Sequence, residues 1–231
     1  LKAFRRCHGF TNPVDRDVLA LYIKYSYVPA PYSIYQNIFK LEPGCLLKIS
    51  IDATMHPPSY LPKAPTTDNG LILDRWWSLE SLVESGAQNQ IEDEHEAIDL
   101  LQSRLAESVR IQSIADVPLG AFLSGGIDSS CIVALMQEYS SSPVSTFTIG
   151  FGEEEFNEAK YARSVAQHLG TKHVELYVSS SDALETISVL PQLYDEPFAD
   201  SSQLPTHLVC RQARSQMKVA LSGDGGDELF G

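Results

Sequence analysis

The 231-residue chain has no apolar run approaching the roughly 18 residues that cross a bilayer, so no membrane partner is expected. Nor does a basic region lead into an apolar segment at the amino end, as a secretory signal would require. Basic side chains are few: 17 Lys and Arg stand against 30 Asp and Glu, for a formal net charge of -13. Nucleic acid and anionic lipid both demand a basic footprint, so this balance argues against either partner. The four cysteines, Cys7, Cys45, Cys131 and Cys210, lie far apart without Cys-x-x-Cys spacing, and the six histidines are equally scattered. That disfavours a disulfide framework or a zinc site and points to a reduced, cytoplasmic setting. Cys131 itself reads as a small core residue on the inner side of its helix. Two nucleotide fingerprints are missing: there is no Gly-x-x-x-x-Gly-Lys-Ser/Thr, and Gly223 to Glu228 fails Gly-x-Gly-x-x-Gly at its last position. Neither Ser124 nor Ser129 lies in Gly-x-Ser-x-Gly, which weighs against a serine nucleophile. An initiating methionine is absent too, and the chain stops at Phe230-Gly231 directly after an acidic loop, so a piece of a longer protein is expected.

What the chain does contain is a pair of similar loops. The first is Leu119-Gly-Ala-Phe-Leu-Ser-Gly-Gly-Ile-Asp-Ser-Ser130. Gly120 to Leu123 read as the end of a buried strand, and Ile127, Cys131, Val133, Ala134 and Leu135 as the packed positions of a helix over 127–136. A strand that breaks at Ser124, Gly125 and Gly126 and turns at once into a helix leaves backbone N–H groups where an anion can collect them. Glycine lets the backbone turn tightly and approach a ligand closely. Asp128 would repel a phosphate there unless a cation lay between them, and magnesium is the simplest cation to reconcile the two. The second loop, Val219-Ala-Leu-Ser-Gly-Asp-Gly-Gly-Asp-Glu-Leu-Phe-Gly231, again runs from an apolar stretch into Ser222 and Gly223, followed by Asp224, Asp227 and Glu228. Two such strand ends are expected to meet at the carboxyl edge of one parallel sheet, where folds of this kind bind ligands.

The rest of the chain divides in two. Residues 1–60 carry a helix over 17–27, ended by Pro29 and Pro31, and strand candidates at 34–39 and 45–51 about the turn Glu42-Pro43-Gly44. Tyr22, Tyr25, Tyr27, Tyr32 and Tyr35 form an aromatic cluster that reads as interdomain or core packing ahead of a ligand cage. Residues 57–70 read as a surface loop, with Trp76 and Trp77 as anchors at its end. A helix over 92–113 bears an apolar stripe of Ala97, Ile98, Leu101, Leu105, Val109 and Ile111, with Glu92, Asp93, Glu94 and Glu96 solvated in its first turns. Strands at 144–151, 173–178 and 217–221 then alternate with helices at 158–169, 182–193 and 204–215. This is the pattern of βαβ units in a doubly wound parallel sheet. Between two of those helices, Tyr194-Asp-Glu-Pro-Phe-Ala-Asp-Ser-Ser-Gln203 concentrates Asp195, Glu196, Asp200, Ser201 and Ser202. It reads either as one wall of a second substrate's pocket or as a helix cap at Asp200 and Ser201.

Ser124-Gly-Gly-Ile-Asp-Ser129 resembles the pyrophosphate loop of the ATP pyrophosphatases, which adenylate a carboxylate or carbonyl oxygen. Several further stretches are similar to the glutamine-hydrolysing asparagine synthetases: Phe147-Thr-Ile-Gly-Phe151, Asn157-Glu-Ala-Lys-Tyr-Ala162, His168-Leu-Gly-Thr171, Tyr194 to Ser202, and Leu221 to Gly231. Tyr27-Val-Pro-Ala-Pro31 and Ile38-Phe-Lys-Leu-Glu-Pro-Gly44 resemble that family's join between glutaminase and synthetase, so the likeness covers nearly the whole chain.

The resemblance implies an α/β fold: a doubly wound parallel sheet of the adenine nucleotide alpha-hydrolase-like, PP-loop type, truncated at its C-terminal side. It implies residues 1–56 as the tail of an N-terminal glutaminase domain and its connection, 57–91 as a linker, and 92–231 as the N-terminal portion of an ATP-binding synthetase domain. By position, Ser124, Gly125, Gly126, Asp128 and Ser129 would hold pyrophosphate, with Asp128 and Asp227 on Mg2+. Phe122, Ile149, Ser222 and Gly223 would lie along the adenosine of ATP. Asp224, where many members have glutamate, would sit near the phosphates or the acyl-adenylate. Asp224, Asp128 and Asp227 are thus the candidate catalytic residues. Cys7 is not the glutaminase nucleophile, which would precede Leu1.

The implied parent is a cytoplasmic, homo-oligomeric carbon–nitrogen ligase of asparagine biosynthesis, using aspartate, ATP and ammonia from glutamine. The alternatives are an amidotransferase acting on a sugar acid, a β-lactam synthetase-like cyclase, or a non-enzymatic nucleotide-binding module. The family's catalytic lysine would lie beyond Gly231, so the chain alone is expected to be inactive.

Overall fold

The computed structural model describes residues 1–56, 58, 60–151 and 158–230. Pro57, Asn157 and Gly231, which figure in the readings above, lie outside the described residues. The chain forms two compact units: residues Leu1–Ile91 with Pro191–Asp200, and residues Glu92–Leu190 with Ser201–Gly231.

In the first unit, a 3-10 turn (Phe4–Arg6) precedes α1 (Arg16–Tyr25), whose N-terminus is capped by the Asp15 carboxylate accepting from the N–H groups of Asp17 and Val18. Then follow β1 (Cys45–Ile49), α2 (Ile51–Met55), β2 (Thr66–Asp68), β3 (Leu71–Arg75) and α3 (Leu79–Gln88). The three strands make an antiparallel sheet in the order β1-β3-β2. Residues 57–91 therefore carry more structure than their composition suggested: Asn69 and Gly70, both at positive φ, turn β2 back onto β3. The expected strand at 34–39 is not formed. Only isolated bridges, Val14 to Tyr35 and Tyr32 to Phe39, occur there, and Asn37 at φ 58° breaks the extended run. The tyrosines also split. Tyr22 and Tyr35 pack on the small core of Val18, Val28 and Ile34, while Tyr25, Tyr27 and Tyr32 are exposed. Trp76 is 74% exposed, so its attachment runs through the backbone, its N–H donating to the Gly44 carbonyl at 2.8 Å, rather than through the ring.

The second unit contains α4 (Glu94–Gln112), β4 (Leu119–Phe122), α5 (Ile127–Tyr139), β5 (Ser145–Phe151), α6 (Ala159–Leu169), β6 (Lys172–Val178), α7 (Ser180–Ile187), α8 (Leu190–Leu193, ending in the first unit), α9 (Gln203–Ala213), β7 (Val219–Leu221) and α10 (Gly226–Phe230). The helix expected over 182–193 is two helices, the first begun by a capping box between Ser179 and Asp182. All strand pairs are parallel, in the order β6-β5-β4-β7. The reversal of strand order falls between β4 and β7. Helices cover both faces. Ala121 and Leu123 meet Val133, Met136, Ala162 and Ala166 on one side, joined by Val109 of α4. Phe147 meets Ala213 and Met217 of the α9 arm on the other. This is the doubly wound sheet expected from the alternation of elements.

Two details of this core depart from the sequence reading. Cys131 and Ile127, assigned inward positions on α5, are both exposed, and the buried face of that helix is instead Val133, Leu135 and Met136. On α4 the seated positions are Leu105, Ala106 and Val109, whereas Ile98, Leu101 and Ile111 are exposed.

One polar chain is built into the sheet. Thr146, fully buried on β5, lies 2.9 Å from His173 Nδ1 and 3.0 Å from the Thr171 hydroxyl, which in turn lies 3.5 Å from the Ala166 carbonyl. A carbonyl only accepts, so the donors run His173 Nδ1–H to Thr146, Thr146 to Thr171, and Thr171 to Ala166. That leaves His173 Nε2 buried with no partner among the described residues. Burial depresses the His173 pKa, partly opposed by the Glu175 carboxylate. The neutral form is favoured by folding, so the stability it contributes is present above the unfolded-state pKa of about 6.5 and is lost as pH falls below it. Urea unfolding of the wild type should show a pH-dependent loss of stability between pH 7.5 and 5, at no more than about 1.4 kcal/mol per pH unit for this group. His173→Gln should remove that component, and Thr146→Val should cost about 1–3 kcal/mol at pH 7.5 by orphaning its neighbours.

Candidate active site

The register of the sheet brings the two glycine loops together. Ala121 is paired with Leu221 and Gly120 with Ala220, so β4 and β7 end side by side and release Ser124 and Ser222 at the same carboxyl edge. Ligands of doubly wound sheets bind at such a point of strand reversal.

The first loop is tied to itself by its serines. The Ser124 N–H donates to Ser129 Oγ at 3.2 Å, the two hydroxyls lie 2.9 Å apart, and the Gly126 N–H donates to Ser124 Oγ at 3.2 Å. Gly126 precedes α5 and offers no capping side chain, so the first-turn N–H groups of this helix are left for an outside acceptor. Gly125 is held at φ 88°, flush against α6: a Cβ there would lie 2.6 Å from the Ala162 nitrogen and 2.7 Å from the Tyr161 carbonyl carbon.

The second loop packs on the first. A Cβ on Gly223 would lie 2.7 Å from the Ser129 nitrogen, and one on Gly226 would lie 2.5 Å from Asp128 Cγ and 2.6 Å from Asp128 Oδ2. The Gly226 N–H closes the turn onto the Gly223 carbonyl at 3.2 Å. Asp128 is thus half-buried beneath the turn that carries Asp224 and opens α10, whose first turn holds Asp227 and Glu228. Asp224 and Asp227 are exposed. The structure therefore gathers Ser124, Gly125, Gly126, Asp128, Ser129, Ser222 and Gly223 at one edge, with Asp224 and Asp227 on the adjoining turn.

Phe122 and Ile149 sit on neighbouring strands, β4 and β5. Phe122 is partly buried against the Phe147, Ala213 and Met217 cluster, and Ile149 pairs in register with Leu176. Gly226 escaped the sequence reading. Its contact with Asp128 is steric and leaves no pattern beyond the Gly-Gly pair itself.

The donor set fits a magnesium ion carried in by phosphates. Among the described residues no three His, Cys, Asp or Glu side chains gather into a metal cage. Magnesium is ordinarily bound by one or two carboxylates together with substrate phosphates and water, and Asp128 with Asp227 is a set of that kind. The other acidic segment is largely committed elsewhere. Asp195 accepts from the Lys2 N–H at 2.6 Å, and Glu196 accepts from the Ile34 N–H at 2.7 Å and from Lys40 Nζ at 2.6 Å, all within the first unit. The backbone hydrogen bond from Lys2 is the main cause holding the Asp195 carboxyl below its ordinary pKa.

The strand order, the two-sided helical cover and the glycine loops at the strand reversal define the PP-loop, adenine nucleotide alpha-hydrolase type of fold. The asparagine synthase family profile matches residues 100–231, more than half of the chain, and the chain belongs to that family. A glutamine-hydrolysing asparagine synthetase homologue of Methanocaldococcus jannaschii is 37% identical over 219 residues, covering 94% of this chain and 38% of its own length. Asparagine synthetase 1 of Bacillus subtilis is 28% identical over 218 residues, covering 94% of this chain and 31% of its own. Asparagine synthetase B of Escherichia coli is 32% identical over 148 residues, covering 57% and 26%. The chain spans about a third of the length of the relatives that it matches over most of its own residues. No helix among the described residues is long and apolar enough to cross a membrane.

The two loops separate strain from collision. Gly225, at φ 93°, has nothing within 4 Å of the point a Cβ would occupy, so Gly225→Ala should cost about 1–2 kcal/mol in urea unfolding, from the left-handed backbone alone. Gly125→Ala meets the same backbone penalty and the α6 main chain as well, and should cost about 2–5 kcal/mol.

Proposed function

We propose that this chain is the ATP-handling part of a glutamine-dependent asparagine synthetase, preceded by the tail of a glutaminase domain in residues 1–56 and a connection in residues 57–91. The observation that carries this reading is the packing of the Gly223 to Gly226 turn onto Asp128 and the start of α5.

In this reading an oxygen of the aspartate side-chain carboxylate attacks the α-phosphorus of ATP. The bond to the bridging oxygen breaks, pyrophosphate leaves with the electron pair, and β-aspartyl-AMP forms. Ammonia, released from glutamine elsewhere in the parent, then attacks the acyl carbon, loses a proton, and displaces AMP. Bound magnesium supplies positive charge to the phosphates. Ser124, Gly125, Gly126 and Ser129 cradle the leaving pyrophosphate with hydroxyls and N–H groups, which are fixed in place before the reaction. Asp128 and Asp227 hold the metal. Phe122, Ile149, Ser222 and Gly223 lie along the adenosine, and Asp224 faces the reacting phosphates or the acyl-adenylate. The negative end of the attacking carboxylate and the polyphosphate repel each other, so this fixed cradle is what makes their approach favourable.

Two measurements test the reading. Calorimetry of the chain with ATP should give at least about tenfold tighter binding with magnesium than with chelator, and Asp128→Asn should abolish the difference. Equal affinities would remove the metal assignment. In the full-length protein, exchange of labelled pyrophosphate into ATP should require aspartate. Exchange driven by a sugar acid and not by aspartate would reassign the acyl acceptor.

A further inference from the structure

The glycine loops contain no lysine, and the carboxylates of Asp128, Asp224, Asp227 and Glu228 belong to those loops and the helices they open, in a chain with net charge -13. Topology narrows the search for a compensating cation. Lys172 opens β6 and Lys218 immediately precedes β7, which places both at the amino edge of the sheet. Arg211 and Arg214 end α9, which feeds β7, and Arg104 and Arg110 lie in the C-terminal half of α4, which feeds β4. A helix that feeds a strand delivers its C-terminal end to that strand's amino end, which puts Arg104, Arg110 and Arg214 away from the loops, while the charge of Arg211 is felt by Asp182 just past β6, the edge strand two places from β4. The remaining basic side chains of this unit, Lys160 and Arg163, stand on the first turns of α6, which begins at the carboxyl edge beyond β5.

Arg163 is committed. Its Nε and Nη2 donate to the two oxygens of Glu175 at 2.6 and 2.5 Å, and Nη2 also reaches the Tyr177 hydroxyl. Lys160 has no carboxylate partner among the described residues. Its ammonium lies 5.0 Å from the centroid of the Tyr161 ring, which is itself 59% exposed. An exposed cation–π contact of this kind is worth only about 0.5–1 kcal/mol and is readily exchanged for an anion. The turn that carries Lys160 is also the one against which Gly125 is pressed, through Tyr161 and Ala162.

We propose that Lys160 is a phosphate-binding residue of this site, its ammonium leaving the Tyr161 ring for the polyphosphate held by the Ser124 to Ser129 loop. The assignment rests on the nucleotide-binding reading given above. A lysine ammonium is a compact point charge on a flexible stem, suited to a ligand whose charge moves as pyrophosphate departs.

The test uses the 231-residue chain with magnesium, titrated calorimetrically with ATP, pyrophosphate and adenosine. Lys160→Met should weaken ATP and pyrophosphate by roughly 10- to 100-fold and leave adenosine unchanged, and Lys160→Arg should restore most of the loss. Circular dichroism shows whether each variant is folded. Independently, wild-type protein reductively methylated with 13C should show the Lys160 resonance shifting when pyrophosphate is added. Wild-type binding that survives Lys160→Met unchanged would overturn the role of Lys160 and leave the nucleotide site standing. A Lys160 resonance that stays still at saturating pyrophosphate would do the same even if the variant failed to fold. Failure of the wild type to bind either ATP or pyrophosphate would overturn both readings.

Discussion

The site depends on a steric condition: the second glycine turn approaches the start of α5 so closely that it has no room for a side chain at Gly223 or Gly226. Gly223 lies on the Ser129 nitrogen and Gly226 on the Asp128 carboxylate, at separations that a Cβ does not tolerate. This contact holds the second acidic turn, which carries Asp224 and leads into Asp227 on α10, against the start of α5. The parallel register of β4 and β7 supplies the coarse alignment, and the glycines supply the last few ångströms. On the far side, Gly125 does the same against α6. The loop between β4 and α5 and the start of that helix are consequently held by close contacts on two sides and by the loop's own serines within.

The same economy of contacts governs the segment Pro191–Asp200. In sequence it interrupts the α/β unit, yet it belongs to the first compact unit. Lys40, which also donates to the Val28 carbonyl, meets Glu196, and the Ala199 N–H donates to the Ser26 carbonyl at 2.9 Å. Lys40 and Glu196 are both substantially withdrawn from solvent, with side chains 35% and 14% exposed. Removing either would strand a charge in a poorly solvated place, so the pair holds this segment more firmly than an exposed salt bridge would.

How much of this was legible in the sequence follows from which interactions are local. The doubly wound sheet was readable because its strands are apolar runs such as Ser145–Phe151 and its helices have ordinary stops, as at Gly170 with φ 70°. The glycine loops were readable because their serines, glycines and aspartates are adjacent in the chain and directly follow apolar strands. The three-stranded sheet of the first unit was not, because Thr66–Asp68 is short and polar and is defined only by its pairing with Leu71–Arg75. The inward faces of α4 and α5 were misjudged at their ends, where an apolar residue such as Ile127 is hydrophobic by type but lies in the first turn, beyond the edge of the sheet. The acids Asp195 and Glu196 suggested a substrate wall by composition. Their actual partners, the Lys2 and Ile34 amides and Lys40, are more than 150 residues away in the chain, and no local pattern announces them.

The polyanion proposed for this site would be received against a net charge of -13. At physiological ionic strength the screening length is about 8 Å, so a carboxylate farther than that from the loops would hardly repel a triphosphate there. What matters is the potential within the loops themselves. There the nearest fixed groups are peptide N–H dipoles at the uncapped start of a thirteen-residue helix, with two serine hydroxyls turned toward one another. These donors cannot be neutralised by titration, unlike the carboxylates beside them. On the proposed reading, Asp128 repels phosphate in the absence of metal and becomes favourable once a divalent cation lies between, which would make affinity conditional on that cation. A basic loop would bind many anions indiscriminately. On the proposed reading, the acidic one would select a ligand that arrives with magnesium, with Gly223 and Gly226 holding the second turn against Asp128 and Ser129.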